Sequence, residues 1–313
     1  MPFDVVFMGT PEFAVPSLNA LAAAGHRIRL VVTQPDRPKG RGRKITPPPV
    51  KTAAASWGIP VIQPPSLRDA AVMQRLKEQA ADFFIVVAYG HLLREEVLSM
   101  PHLGCINVHA SLLPRYRGPA PIQWAIIHGE AATGVTTMLM DRGLDTGDIL
   151  LQAEEPIGAE DTAGALYDRL ARKGADLLTR TLSAFASGTI RPIPQDDSQA
   201  TYAPLLKKTD GLIDWQKPAA CLESFIRGVT PWPGAYTYWR NNRIKVFRAR
   251  PVASGTAETA SPGTVLEADK DRFLVACGEG ALFLLELQNA SGSRLTVTEF
   301  LRGCRIAAGD VLG

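Results

Sequence analysis

Long apolar runs, closely spaced cysteines and an uninterrupted apolar N-terminus are all missing from this sequence of 313 residues. Its longest apolar stretch, Phe83 to Tyr89, is far shorter than the roughly 20 residues that a membrane helix requires. Asp4 and the Gly9-Thr10-Pro11 segment interrupt the N-terminus, so no signal peptide is predicted. We therefore expect a soluble, cytosolic protein.

Cysteine is scarce, and its spacing excludes the usual metal and redox motifs. No two of the four cysteines lie close enough for a CxxC pair. Reduced thiols that pack as small apolar groups are the expected state, and no metal site is predicted. The four residues are Cys105, Cys221, Cys277 and Cys304.

The formal net charge is only +3, but it is unevenly distributed along the chain. Residues 33–52 contain six Lys and Arg residues and one Asp, and residues 239–250 contain five Lys and Arg residues and no acid. The remainder is net acidic. Each basic segment is either a solvated face or a surface that binds a polyanion.

The length suggests two domains, at about 100 to 200 residues each. Apolar runs at 4–8, 28–32, 83–87 and 105–109 alternate with helical patterns near 18–24, 50–57 and 69–81. This alternation predicts a Rossmann-like α/β domain with a parallel sheet over residues 1–189, which a helix from about Asp161 to Ala186 completes.

The composition changes after residue 189. Residues 190–207 are rich in Pro, Gln, Asp and Ser, which is typical of an extended linker. Short apolar or alternating runs at 234–239, 243–250, 263–267, 272–276 and 281–287 follow, and turn residues separate them. They predict a small β-barrel, similar to an oligonucleotide-binding fold, over residues 208–313.

Three polar residues form the candidate catalytic site. Because strand residues alternate between faces, Asn107 and His109 point the same way at the carboxyl end of a predicted parallel strand, where open α/β sheets bind ligands. Asp145 lies in the glycine-punctuated segment 140–148. If Asp145 meets His109, it fixes the imidazole tautomer and favours the charged form. A donor amide, an imidazole and an orienting carboxylate suit attack on a carbonyl-type carbon.

Several motifs around these residues resemble the folate-dependent formyltransferase family, and especially its members that act on methionyl initiator tRNA. Asn107, His109 and Asp145 match the shared catalytic trio. The other matching segments are FMGTPEF at 7–13, VVAYG at 86–90, SLLP at 111–114, DW at 214–215 and PWPGA at 231–235. The resemblance covers nearly the whole chain.

The resemblance implies transfer of a formyl group from 10-formyltetrahydrofolate to the α-amine of methionine esterified to initiator tRNA, without a metal. Asn107 and protonated His109 are then donors to the developing oxyanion. Whether His109 acts mainly as an electrophile or as a base stays open. The residues expected to contact the folate are Ala88, Tyr89, Gly90, Ser111, Leu112, Leu113, Pro114, Asp141 and Gly143.

The basic segments are expected to bind tRNA. Residues 34–49 form a longer connection than the usual two to six residues between a strand and a helix, and glycines make it flexible. Relatives insert this loop against the acceptor stem, and Arg41 matches a residue important there. The second segment is predicted to be a strand that bends near Phe247. The expected tRNA contacts are Arg37, Lys39, Arg41, Arg43, Lys44, Arg243, Lys245 and Arg248.

Three alternatives compete with this interpretation. A nicotinamide dehydrogenase is disfavoured because the segment from Gly9 to Ala14 lacks the second and third glycines of GxGxxG. A formyltransferase for glycinamide ribonucleotide or an amino-sugar nucleotide would share the trio, but it would not require the basic segments. A non-catalytic RNA-binding module would leave the trio unused. The family resemblance also suggests a monomer.

Overall fold

The chain divides into two units in the computed structural model, which describes residues 2–39, 42, 44–252 and 260–313. Unit 1 consists of Met1–Pro121, Ala132–Pro156 and Tyr167–Ala203. Unit 2 consists of Ile122–Ala131, Ile157–Leu166 and Pro204–Gly313. Two short segments that precede residue 167 therefore belong to unit 2.

Alternating strands and helices make up the chain as far as residue 186. In chain order they are β1 (Asp4–Gly9), α1 (Val15–Ala23), β2 (Arg27–Val32), β3 (Arg37–Lys39), β4 (Lys44–Thr46), α2 (Pro49–Ser56), β5 (Val61–Ile62), α3 (Ala70–Lys77), β6 (Phe83–Val87), α4 (Glu95–Leu98), β7 (Gly104–His109), α5 (Pro121–Ile127), β8 (Ala132–Leu139), β9 (Ile149–Pro156) and α6 (Ala163–Ala186).

A seven-stranded sheet in the order β5-β2-β1-β6-β7-β8-β9 forms the centre of unit 1. The first five strands are parallel, which confirms the predicted Rossmann-like α/β fold. Strands β8 and β9 extend the sheet in antiparallel pairing. An antiparallel pair needs only a short connection, and the loop at 140–148 provides it.

The core of unit 1 follows from the residue pattern of its strands. Every residue of β6 is buried, as expected for a strand that is covered on both faces of a parallel sheet. Met8, Val32 and Phe84 from three neighbouring strands share one cluster of buried side chains. Helix α3 begins after Asp69, whose carboxylate accepts hydrogen bonds from the first-turn N–H groups. None of the described helices is long and apolar enough to cross a bilayer.

Unit 2 contains an antiparallel sheet in the order β10-β11-β14-β13-β12, with β15 paired to β14. The remaining α-helices and strands are α7 (Ala219–Gly228), β10 (Ala235–Trp239), β11 (Asn242–Val252), β12 (Val265–Asp269), β13 (Arg272–Ala276), β14 (Ala281–Asn289), β15 (Leu295–Thr296) and α8 (Val297–Arg302).

The last residues of the chain join the two outer strands of this sheet. Val265 N–H in β12 donates to the Asp310 carbonyl at 2.8 Å, and Gly313 N–H donates to the Tyr238 carbonyl in β10 at 3.0 Å. The backbone pairing thus continues from one edge strand to the other, which agrees with the predicted small barrel. The predicted bend in β11 is also present, as register shifts on both sides of Arg248.

Two segments without predicted helix or strand contain ordered backbone pairing. Strands β3 and β4 pair as a short antiparallel hairpin inside the 34–49 loop. Residues 190–203 contain one short 3₁₀ helix, Asp197–Gln199, and Ile193 exchanges two backbone hydrogen bonds with Ile149 at the start of β9. This segment is therefore fixed to the sheet of unit 1, where the sequence indicated only an extended linker.

Candidate active site

Strand β7 presents Asn107 and His109 on one face at its carboxyl end. Asn107 is half-buried, whereas the His109 side chain is 7% exposed. Across the sheet, Asn107 lies opposite Val86 of β6 and Met138 of β8. Within the described residues the Asn107 carboxamide has no hydrogen-bond partner, so its amide donor is available to a ligand.

The loop between β8 and β9 brings Asp145 to this strand end. Asp145 adopts a positive φ of 55°, a conformation that is uncommon for residues other than glycine. The backbone of the loop also approaches β8 closely, because a Cβ on Gly147 would lie 1.7 Å from the Leu139 carbonyl oxygen. Glycine is thus required at 147, and the loop path fixes where Asp145 lies.

The imidazole of His109 lies between two protein oxygens. Its Nδ1 is 3.6 Å from Asp145 Oδ2, and its Nε2 is 2.9 Å from the Tyr116 carbonyl. A carbonyl oxygen can only accept, so Nε2 carries a proton in this arrangement. The separation of 3.6 Å is an electrostatic contact rather than a hydrogen bond, and Asp145 Oδ2 takes its hydrogen bond from Gly118 N–H at 2.8 Å.

The SLLP residues form a buried turn beside the site. Ser111 is fully buried, and its hydroxyl donates to the Arg115 carbonyl at 2.6 Å. Thr136 of β8 donates to the Ser111 carbonyl at 2.7 Å and accepts from Leu113 N–H at 3.2 Å. Gln152 also donates to the Leu113 carbonyl. Leu112 and Pro114 remain half-buried in the same turn, so they are the SLLP side chains that a ligand could reach.

The Ala-Tyr-Gly segment follows β6 directly and reaches the same edge of the sheet. Ala88 and Gly90 are exposed and have positive φ values of 47° and 88°. Tyr89 points inward and belongs to the core cluster, and burial raises the pKa of its phenol to about 12. Its carbonyl accepts from Thr10 and Gln34. A ligand here would therefore meet the backbone and not the Tyr89 ring.

Asp141 and Gly143 are exposed in the loop between β8 and β9. Asp141 Oδ1 accepts from Gly143 N–H at 3.0 Å and from Thr146 Oγ1 at 2.6 Å. A Cβ on Gly143 would lie 1.9 Å from Thr146 Oγ1. These contacts shape the turn that precedes Asp145, so Asp141 has a clear structural role beside its predicted ligand contact.

The first basic segment forms the β3–β4 hairpin. Arg37 and Lys44 are exposed, and Arg37 Nη2 donates to Gln34 Oε1 at 3.1 Å. The backbone of Lys39 pairs with Lys44. Arg41 and Arg43 lie outside the described residues, and their predicted role stays a prediction.

The second basic segment is β11 in unit 2. The Arg243 guanidinium lies 3.7 Å from the centre of the Tyr236 ring, close enough for cation–π stacking. Lys245 is half-buried. Arg248 makes a 3.0 Å ion pair with Glu160, and both side chains are largely exposed. Solvent-exposed pairs of this kind are weak, so Glu160 does not hold Arg248 firmly.

Two residues that sequence reasoning missed hold the site together. Arg117 is 2% exposed, and its guanidinium donates to Gln195 Oε1 and Asp197 Oδ1. Gln195 Nε2 donates to the carbonyls of Asp145 and Gly147 at 2.8 and 2.7 Å. A lone Arg in a Pro-rich loop and a Gln in an extended segment carry no local signal for such contacts.

Within the described residues no three acidic, His or Cys side chains are grouped as a metal site requires.

This fold and site define a class of protein that comparison with known sequences identifies. The family described as Formyl transferase matches residues 3–182, and the family described as Formyl transferase, C-terminal domain matches residues 205–305. The chain belongs to the formyl transferase family.

Two relatives that are about half identical to this chain are methionyl-tRNA formyltransferases. The methionyl-tRNA formyltransferase of Pelobacter propionicus is 52% identical over 310 residues, which are 99% of this chain and 96% of that protein. The methionyl-tRNA formyltransferase of Syntrophus aciditrophicus is 48% identical, over 99% of both chains. These similarities extend over both units.

Solved structures share the fold at much lower identity. An N-formyltransferase from Helicobacter canadensis, in complex with folinic acid and dTDP-3-aminofucose, has a TM-score of 0.68 at 20% identity over 92% of this chain and 100% of its own. HypX from Aquifex aeolicus, in complex with tetrahydrofolic acid, has a TM-score of 0.64 at 16% identity. That match covers 96% of this chain and 47% of HypX, so this chain spans about half of that protein.

Proposed function

We propose that this chain transfers the formyl group of 10-formyltetrahydrofolate to the α-amine of methionine on initiator tRNA. The observation that carries the proposal is the meeting of Asp145 with His109 beside the unpartnered carboxamide of Asn107, at the carboxyl edge of the sheet. The relatives that are about half identical over nearly the full chain bear the corresponding name. A small-amine acceptor is the rival within the same family.

Asn107 is the donor that we assign to the formyl oxygen. Its amide is half-buried and has no partner among the described residues, whereas both nitrogens of His109 face protein oxygens. Nucleophilic attack on a formyl carbon places negative charge on the oxygen, and one well-placed donor there is typically worth about 2.7 to 4 kcal/mol. His109 would assist the same oxygen only by releasing the Tyr116 carbonyl.

His109 and Asp145 are assigned to proton movement. The attacking amine loses a proton during the reaction, and the leaving nitrogen of the folate gains one. His109 holds a proton at Nε2, and Asp145 Oδ2 faces its Nδ1. Once Nε2 releases the Tyr116 carbonyl, His109 can give that proton to the leaving nitrogen of the folate and regain one from the attacking amine, while Asp145 holds the imidazole at Nδ1. General acid–base assistance of this kind contributes roughly 10² to 10⁴ in rate.

The residues at the edge of the sheet fit a folate. 10-formyltetrahydrofolate supplies a formyl group on a nitrogen that can leave once it is protonated. Strands β6 and β7 are adjacent, so the exposed backbone at Ala88 and Gly90 and the free amide of Asn107 end at one edge. The proposed folate contacts, in addition to the SLLP turn, are Ala88, Tyr89 through its backbone, Gly90, Asp141 and Gly143.

Each of the two basic segments is proposed to contact the tRNA. We assign formyl transfer to residues 1–189, a connecting role to 190–207 and tRNA binding to residues 208–313 together with the β3–β4 hairpin. Arginine and lysine on these elements would neutralise phosphates without reading sequence. A monomer acting in the cytoplasm is the simplest form of this proposal, and light scattering of the purified chain would test the monomer.

A comparison of acceptors tests the proposal against its rivals. The chain is incubated with 10-formyltetrahydrofolate and, in parallel, with methionyl initiator tRNA, glycinamide ribonucleotide or an amino-sugar nucleotide. We expect the highest kcat/KM with the charged tRNA. Faster formylation of either small amine would support the rival enzyme, and tRNA binding without formylation of any acceptor would favour an RNA-binding module.

A further inference from the structure

Gln195 lies between the two family matches, which end at residue 182 and begin at residue 205. It belongs to the extended segment of unit 1, and its side chain reaches the loop between β8 and β9. Nε2 donates to the Asp145 carbonyl at 2.8 Å and to the Gly147 carbonyl at 2.7 Å. Both protons of one side-chain amide are thus used on the loop that carries the proposed proton-transfer carboxylate.

The backbone conformation of that loop has to be stabilised by contacts from outside the loop. Asp145 has a φ of 55°, and residues other than glycine hold such a conformation only where the surroundings fix it. The Asp145 carboxylate must also remain near His109 Nδ1, at a contact distance of 3.6 Å. The two hydrogen bonds from Gln195 fix the backbone on both sides of Thr146, and so determine where the Asp145 side chain starts.

Gln195 is itself held from the opposite side. Its Oε1 accepts from Arg117 Nε at 3.1 Å and from Arg117 Nη2 at 2.9 Å, and Arg117 is almost fully buried. The next residue, Gly118, donates its N–H to Asp145 Oδ2 at 2.8 Å. Asp145 is therefore held in two ways. Arg117 positions the Gln195 amide that binds the Asp145 carbonyl, and Gly118 N–H binds the Asp145 carboxylate directly. Connected polar groups of this kind stabilise one geometry.

We propose that Gln195 is a positioning residue that holds Asp145 against His109, acting through the carbonyls of Asp145 and Gly147. This role rests on the proposed function, because it concerns the same proton-transfer pair. A carboxamide is suited to the position, since it accepts from an arginine with one end and donates two protons with the other. Glutamate would keep the first contact and lose both donors.

The first test removes the two donors of the Gln195 carboxamide and keeps its acceptor. Gln195→Glu keeps an acceptor for Arg117 and places an oxygen against the two carbonyls. We expect kcat for methionyl-tRNA formylation to fall about 10- to 100-fold, as for a catalytic group displaced by about 1 Å, while both KM values change less than about threefold. The matched control is Gln79→Glu, since Gln79 Nε2 also donates to a backbone carbonyl, that of Arg75 at 2.8 Å. Its kcat should equal that of the wild type.

A second measurement does not depend on catalysis. Hydrogen exchange of the Gly118 amide reports its bond to Asp145 Oδ2, so Gln195→Glu should accelerate that exchange. In an Asp145→Ala background the bond is already absent, and adding Gln195→Glu should cause no further acceleration. If Gln195→Glu does not fold, Gln195→Met keeps the side-chain length without the hydrogen bonds and takes its place.

The outcomes distinguish the two proposals. Unchanged kcat and unchanged Gly118 exchange in the Gln195 variant would overturn the positioning role and leave the proposed function standing. The positioning role would also be overturned if Gln195→Glu lowered kcat by the same factor in the wild type and in the Asp145→Ala variant. Gln195 would then act independently of Asp145. If the wild type formylates no tRNA, the proposed function fails, and the exchange of Gly118 alone decides whether Gln195 holds Asp145.

Discussion

At the scale of single residues, the carboxylate of Asp145 is shared by two neighbours. Oδ2 accepts from Gly118 N–H at 2.8 Å and faces His109 Nδ1 at 3.6 Å. Since the carboxylate is on a loop and buries little apolar surface, its removal should affect chemistry more than folding.

We predict that Asp145→Ala lowers formyl transfer by about 10³-fold or more, because the imidazole loses the carboxylate that faces its Nδ1 and fixes its orientation. The circular dichroism spectrum and tRNA affinity should stay close to those of the wild type. Single-turnover transfer and filter binding are the measurements. Turnover within tenfold of the wild type would remove Asp145 from the mechanism.

Asp4 offers a prediction for pH dependence. The hydrogen bond from Arg27, together with Arg29, lowers its pKa from the ordinary 3.8 to about 2. A carboxyl group whose pKa is depressed by folding stabilises the folded state above pH 4, and this contribution is lost as the pH falls from about 4 through about 2. Because the arginines are half-exposed, we expect Asp4→Asn to cost about 1 kcal/mol or less at pH 7 and only a small part of that at pH 2.

Urea unfolding at several pH values measures this difference. Asp176→Asn is the control, since Asp176 is exposed on α6 and its carboxylate has no partner within the described residues. An equal cost of Asp4→Asn at pH 7 and pH 2 would show that the ion pairs are not its cause.

The site was only partly predictable from single residues. Alternation along a strand places Asn107 and His109 on one face, and the glycines around Asp145 indicate a loop that can approach it. Gln195 could not be found this way, because its contacts with the Asp145 and Gly147 carbonyls depend on backbone that is distant in sequence. Side-chain bonds to a distant backbone leave no periodic pattern.

At the scale of elements, β6 and β13 have the predicted bounds because each is a short apolar run between turn residues. The antiparallel direction of β8 and β9 was not predicted, since an apolar run does not indicate its own direction. The β3–β4 hairpin was missed because its strands have three residues each and are mostly polar and exposed. Tertiary pairing, not local propensity, forms such elements.

The hairpin supports a prediction on tRNA binding. If Arg41 contacts a phosphate, Arg41→Ala should weaken tRNA binding and reduce the slope of log K against log salt by about 0.9. Arg75→Ala is the control, because Arg75 is exposed on α3, outside both basic segments. An unchanged slope for Arg41→Ala would mean that this residue does not meet the backbone of the tRNA.

At the scale of the whole molecule, the units do not coincide with a single cut of the chain. Unit 2 includes residues 122–131, although the sequence places them within the first domain. Ile122, Ala125 and Ile126 of α5 are buried, and Trp124 Nε1 donates to the Pro204 carbonyl at 2.8 Å. The composition change near residue 190 marks a change of fold class, and it gives no information on where earlier segments pack.

This division leads to a prediction for fragments. A fragment of residues 208–313 lacks α5, and each buried isoleucine contributes about 1.5 to 3 kcal/mol. A Cβ placed on Gly228 of α7 would lie 2.6 Å from Ile127 Cγ1, so α5 covers this part of α7. We expect the fragment to bind a hydrophobic dye and to unfold at a lower urea concentration than a fragment in which a flexible linker joins residues 121–131 to its N-terminus. If both fragments unfold cooperatively at the same urea concentration, α5 does not stabilise unit 2, and residues 208–313 form a self-sufficient domain.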